Sequence, residues 1–207
     1  NLQTFSTDEA VWTYENDPGI AEVQRNIVSG ANVIVQGAFG RIMASVSFAN
    51  EFLRQTTDAK LEERGVPQNE IAEIQTFRAE AQLLRALSYY HMLDLFGKAP
   101  FVTEESPVGV FFPEQIEGVD LFNFIESDIQ TALPDLAEPR TLEYARADKS
   151  VAWTVLAKLY LNAEAYIGEN RYADALTQCE NVINAGYELT PNYIDLFRGD
   201  NDTNGAQ

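Results

Sequence analysis

The chain has 207 residues, 45% of them hydrophobic, which is enough for a proper core and argues against disorder. Its formal charge of -18 speaks against nucleic acid and anionic lipid as direct partners, because phosphate contacts need clustered Lys and Arg. With one cysteine, Cys179, and one histidine, His91, an intrachain disulfide is impossible, and triad or multi-histidine metal chemistry has almost no material.

No glycine-rich phosphate loop is present, and no apolar run approaches the roughly 20 residues that span a bilayer. Residues 1–29 carry little periodicity. Thr7-Asp8-Glu9-Ala10 could open a short helix with Thr7 as N-cap. Trp12, Tyr14, Asn16 and Asp17 follow on a loop, and Pro18-Gly19 is a strong turn dipeptide.

A helix is expected from about Asn32 to Thr56, with Ile34, Ala38, Ile42, Val46, Ala49 and Leu53 on one face. Gly37 and Gly40 either weaken it, by about 1 kcal/mol each, or permit close packing against a neighbour. Asp58 to Gly65 reads as a charged connector. Pro67 suits a helix's first turn, and the long central helix covers Asn69 to Asp94. Its apolar stripe is Ala81, Leu84, Leu87, His91 and Leu95, widened by Leu83, Ala86, Tyr90 and Leu93. Gly97 and Pro100 then end it. His91, on that stripe, reads as a core histidine with a hydrogen-bond partner.

The stretch from Pro100 to Gly118 has no helical period and reads as a surface loop. Helices are expected at Val119–Leu133, from the N-cap candidate Asp148 to about Ala165, and at Arg171–Ala185, where Gly186 stops the last. Tyr187-Glu188-Leu189 suggests a short extended piece, and Tyr193 to Phe197 a short helical turn. Cys179, inside a helical pattern, reads as a small buried hydrophobe. Trp153-x2-Leu156-Ala157-x2-Tyr160, followed by Tyr172-x2-Ala175, matches a tetratricopeptide unit with extra residues between its halves. Helices 69–95 and 119–133 fit a more degenerate unit. The expected class is therefore all-α, with tetratricopeptide-like helix pairs and long loops. The expected organisation is one region over 1–207: a loop-rich ligand-side segment at 1–31 and repeat helices at 32–165 and 171–186. The polar tail from Gly199 suggests a natural protein that continues.

Glu80-Ala81, Leu83-Leu84-Arg85-Ala86, Tyr89-Tyr90 and Phe96-Gly97-Lys98-Ala99-Pro100 resemble the most distinctive motif of the SusD/RagB family. Those proteins are glycan-binding surface lipoproteins of Bacteroidetes-type bacteria. Ala49-Asn50-x-Phe52-Leu53, Arg146-Ala147-Asp148-Lys149, Ala157 to Asn162 and Tyr187 to Phe197 resemble further family blocks in order. The likeness covers nearly the whole chain and is strongest to the starch-binding branch. It implies a non-catalytic protein without a cofactor that captures an oligosaccharide or polysaccharide, with starch or another α-glucan preferred. It also implies delivery to a SusC-like TonB-dependent transporter, with attachment to the outer membrane through an N-terminal lipid outside this chain.

In that branch a loop before the first repeat helix carries a Thr-Asp-Glu run, closely spaced tryptophans and an asparagine. Thr7-Asp8-Glu9 and Trp12 match it directly. Tyr14 stands at the glycan-stacking tryptophan and Asp17 at the hydrogen-bonding asparagine, with Asn16 beside it. The expected ligand residues are thus Tyr14, Asn16 and Asp17, while Trp12 is held as structural. Aromatic faces pack on the C–H faces of sugars, and amides and carboxylates pair with hydroxyls. The residues alone leave open that Trp12 and Tyr14 merely anchor the loop. Phe111, Phe112 and Tyr144 have weaker claims. Two other classes stay open: a helical glycoside hydrolase using a pair such as Glu9 with Asp17, and a tetratricopeptide adaptor, whose groove should repeat Asn, Lys or Arg.

Overall fold

A computed structural model describes residues 2–14 and 16–201 of the chain. Two short helices, α1 (Leu2–Phe5) and α2 (Ile20–Gln24), precede the long α3 (Val33–Gln55). Then come α4 (Asp58–Glu63), α5 (Gln68–Phe96), α6 (Gly118–Ala132), α7 (Lys149–Leu161), α8 (Ala163–Ile167) and α9 (Tyr172–Asn184). Single 3-10 turns lie at Leu133–Asp135 and Tyr193–Phe197. The helices pack as neighbours, α3 on α5, α5 on α6 and α7 on α9, so the all-α reading with helix pairs holds.

Local chemistry sets the main boundaries. Asn32 caps α3: its Oδ1 accepts from the Ile34 and Val35 amides at 3.0 and 3.2 Å. Asp148 caps α7 through the Ser150 amide at 2.8 Å. Gly97, at φ 70°, ends α5 in the left-handed conformation and returns its N–H to the Leu93 carbonyl at 2.9 Å.

Several expectations change. The connector at 58–65 contains α4, because Leu61 is buried and gives that turn a core contact. Thr7 does not open a helix. It closes one, its hydroxyl donating to the Thr4 carbonyl at 2.7 Å just after α1. Cys179 is exposed, since α9 is an edge helix whose only buried residue is Ala175. Open space adjoins the Cβ positions of Gly37 and Gly40, so neither glycine serves a close helix approach. The stretch after Gly97 is not wholly a loop. Strands β1 (Lys98–Pro100) and β2 (Gln115–Glu117) form a small antiparallel ribbon, Lys98 opposite Glu117 and Pro100 opposite Gln115.

The core turns α5 away from its most regular stripe. Ala79, Leu83, Ala86, Tyr89, Met92 and Leu93 are buried with Phe122, Ile125 and Ile129 of α6 and Leu156 and Leu159 of α7. Ala81, Leu84, Leu87 and His91 instead line an open trough of about 520 Å³ with Ile42, Phe48 and Phe52 of α3. Leu84 is 50% and Phe48 77% exposed. His91 is therefore neither core nor hydrogen-bonded among the described residues. Burial at the trough edge lowers its pKa, and the nearby Asp94 carboxylate opposes that shift without reversing it.

At the centre of the core lies one charge cluster. Arg85, buried on α5, makes two 2.8 Å bonds to Asp128 of α6 and one of 2.8 Å to the Asn50 side chain of α3. It also pairs with Glu104 and lies over the Phe124 ring at 5.7 Å. Tyr89 donates to the Val102 carbonyl at 2.8 Å and accepts from the Val102 amide at 2.9 Å. Burial pushes its phenol up to about 12. Arg54 reaches the Glu104 and Ser106 carbonyls at 2.9 and 3.3 Å. Residues 102–106 are thereby strapped across α3 and α5, while Val108, Val110 and Phe112 at the tip stay fully in water.

Candidate functional site

The segment before α3 is held by side-chain ties at both ends. Gln3 of α1 donates to Asp94 of α5, and Asp94 also accepts the Tyr166 hydroxyl at 2.6 Å. Asn26 donates to the Ser6 carbonyl at 3.1 Å. Asn32 donates to the Gly19 carbonyl at 2.9 Å and to Glu22 at 2.6 Å. Gly19 is required where it stands: its φ is 82°, and an added Cβ would meet the Asn32 side chain at 2.9 Å. The Pro18-Gly19 turn thus positions the loop by leaning on the residue that caps α3.

Between these ties, residues 12–14, 16 and 17 project as an aromatic and polar knob. Tyr14 is 69% exposed, and Asn16 and Asp17 are exposed beside it. The Asp17 amide donates to the Tyr14 carbonyl at 3.1 Å, closing a tight turn that brings the three candidate residues together. The Asn16 side chain makes no hydrogen bond among the described residues. Half-buried Trp12 lies behind Tyr14, ring centroids 5.8 Å apart and planes inclined by 56°. Its ring also meets Phe5 of α1 edge-on at 5.6 Å.

One contact was not apparent from sequence: the Trp12 indole N–H donates to Asp17 Oδ2 at 2.8 Å. A spacing of five residues on an aperiodic loop gives no pattern to read. The weaker aromatic candidates lie in other settings. Phe111 lines a cleft with Phe48 and Arg54, and Tyr144 lines a polar recess with Arg140, Arg146 and Asp148. Among the described residues no group of three His, Cys, Asp or Glu stands close enough to hold a metal ion, and no helix is long and apolar enough to cross a membrane.

No family model matches the chain. Over an alignment of 207 positions it is 34% identical to the starch-binding protein SusD of Bacteroides thetaiotaomicron, covering 99% of this chain and 35% of that protein. The chain thus spans about a third of that relative's length. Among solved structures, one obtained with a xylogluco-oligosaccharide superposes with a TM-score of 0.74 at 26% identity, covering 93% of this chain and 38% of the other. A laminarin-binding SusD-like protein shares the fold with a TM-score of 0.73 at 23% identity, covering 90% of this chain and 39% of its own.

Proposed function

The chain belongs to the SusD-like family, and from that premise we propose that it forms part of a non-catalytic glycan-capture protein at the cell surface. The carrying observation is the knob of residues 12–14, 16 and 17, where Tyr14 offers an exposed ring and Asn16 an uncommitted amide on the same turn. A ring of that kind packs on the C–H face of a sugar, and the amide pairs with its hydroxyls. The named relatives are described with starch, a xylogluco-oligosaccharide and laminarin, so the class of ligand is a glucan-containing polysaccharide or its oligosaccharides. An α-glucan is the preferred member, by similarity to the starch-binding relative. Delivery to a SusC-like TonB-dependent transporter and an N-terminal lipid anchor belong to the same proposal.

Hydrolysis fits the geometry poorly. A general acid needs an apolar setting that keeps it protonated. Glu9 and Asp17 both lie in water, and Asp17 is engaged by an indole. A peptide-binding adaptor is also disfavoured, because the open trough is lined by Ile, Phe and Leu rather than by repeated Asn, Lys or Arg.

The test is calorimetric titration of the full-length protein with maltooligosaccharides, cyclic α-glucans, xyloglucan and laminarin oligosaccharides and fructans. Chromatography of each glycan after incubation runs alongside. Binding with unchanged glycan supports capture. Shortened products, or no binding to any member, would overturn it.

A further inference from the structure

The residue at position 17 is expected from the family resemblance to touch the sugar, but one of its carboxylate oxygens is already taken by its own loop. Its backbone amide is bonded to the Tyr14 carbonyl at 3.1 Å, and its carboxylate takes the Trp12 indole N–H at 2.8 Å. One residue therefore grips both aromatic neighbours, one by the main chain and one by the ring. An indole has a single donor and no acceptor, so this bond uses its whole polar capacity. The acceptor is a charged oxygen, which makes the bond one of the stronger kinds. Trp12 is held by three contacts, with Phe5, Asp17 and Tyr14.

We propose that Asp17 is a positioning residue, which fixes Tyr14 through Trp12 and does not itself bind the sugar. The proposal rests on the glycan-capture reading above and divides its site into two roles. Asn16, whose amide is uncommitted, supplies the polar contact. Asp17 sets the 56° inclination at which Trp12 backs the exposed ring. An asparagine side chain at position 17 also carries an oxygen acceptor, so it preserves the clamp without charge.

The test is a double-mutant cycle in the full-length protein, with maltoheptaose and a laminarin oligosaccharide as probes. Asp17→Ala removes the acceptor, and Trp12→Phe removes the donor while keeping a ring. Asp17→Ala is expected to weaken binding roughly fivefold in the unmodified background, the worth of one such hydrogen bond, and to change nothing further once Trp12 is Phe. Asp17→Asn is expected to bind like the parent. Equal losses from Asp17→Ala in both backgrounds would overturn the proposal, because they mean a direct contact. So would an Asp17→Asn loss as large as that of Asp17→Ala. Acrylamide quenching of tryptophan fluorescence reads the clamp without ligand, the share of Trp12 being the difference between the parent and Trp12→Phe. Quenching of Trp12 should rise in Asp17→Ala, and an unchanged value would overturn the clamp. Failure of the parent to bind any glycan would overturn both glycan capture and positioning, and quenching would then decide the clamp alone.

Discussion

The Arg85 cluster and the Tyr14 knob are built from the same two ingredients, a charged side chain and an aromatic ring, and they do opposite work. Arg85 is sealed in the core, bonded to Asp128, Asn50 and Glu104 and lying over Phe124, so four parts of the chain depend on one guanidinium. Asp17 stands in water and holds Trp12, Tyr14 and, through its carbonyl, the Ile20 amide at the start of α2. A charge in the core must be fully partnered, and once partnered it cannot be removed alone without heavy cost. A charge on a loop costs little to place and leaves its neighbours free to meet a ligand.

The largest break should come at Arg85. Arg85→Met leaves Asp128 and Glu104 buried or half-buried without their cation and is expected to cost about 3 to 5 kcal/mol of stability, seen in chemical denaturation. Adding Asp128→Leu should recover part of that loss. Gly19→Ala comes next, at about 2 kcal/mol, because it combines a left-handed backbone with a clash against the Asn32 cap. Tm should fall, and protease sensitivity should rise first at 2–31.

Acid sharpens the comparison further. Burial alone would raise the Glu104 carboxyl, but the Arg85 guanidinium outweighs it and holds the pKa below the ordinary carboxylate value. Burial likewise pushes Asp148 up, and bonds from Ser150 and the Arg140 amide outweigh it and hold it down. Both are lower folded than unfolded. Their stabilisation is thus complete above the unfolded carboxylate range, about pH 4, and is lost as pH falls through the lower folded values. Glu104→Gln should lower stability at neutral pH and give a shallower acid limb, measured as Tm against pH. The smallest effect on stability belongs to Tyr14→Ala, within about 0.5 kcal/mol, as for an exposed side chain. Titration of the same variant should show the opposite rank, with glycan affinity reduced at least tenfold or lost.

How far each region was legible in the sequence follows from how local its determinants are. The starts of α3 and α7 and the end of α5 were readable, because Asn32, Asp148 and Gly97 act on residues within a turn of themselves. The packed face of α5 was not. That helix is apolar on several sides, and periodicity does not say which side a neighbour covers. The stripe holding Leu84 and His91 is the most regular and faces the open trough. Arg85 was visible only as part of a family-like motif, and its pairing was out of sight because Asp128 lies 43 residues away. Residue types marked Tyr14, Asn16 and Asp17 as candidates, while the Trp12–Asp17 bond needed coordinates to be seen.

The small ribbon after α5 brings Pro100 and Gln115 side by side, so the chain leaves the helical body and re-enters it at one doorway. Tyr89, Asn50 and Arg54 fasten the outgoing limb as far as Ser106, and beyond that the tip makes few demands on the rest of the molecule. Extra residues inserted at Gly109 would lengthen an appendage and leave the spacing of α5 and α6 as it is. In this architecture the tip is the part most free to diversify while the frame keeps its shape.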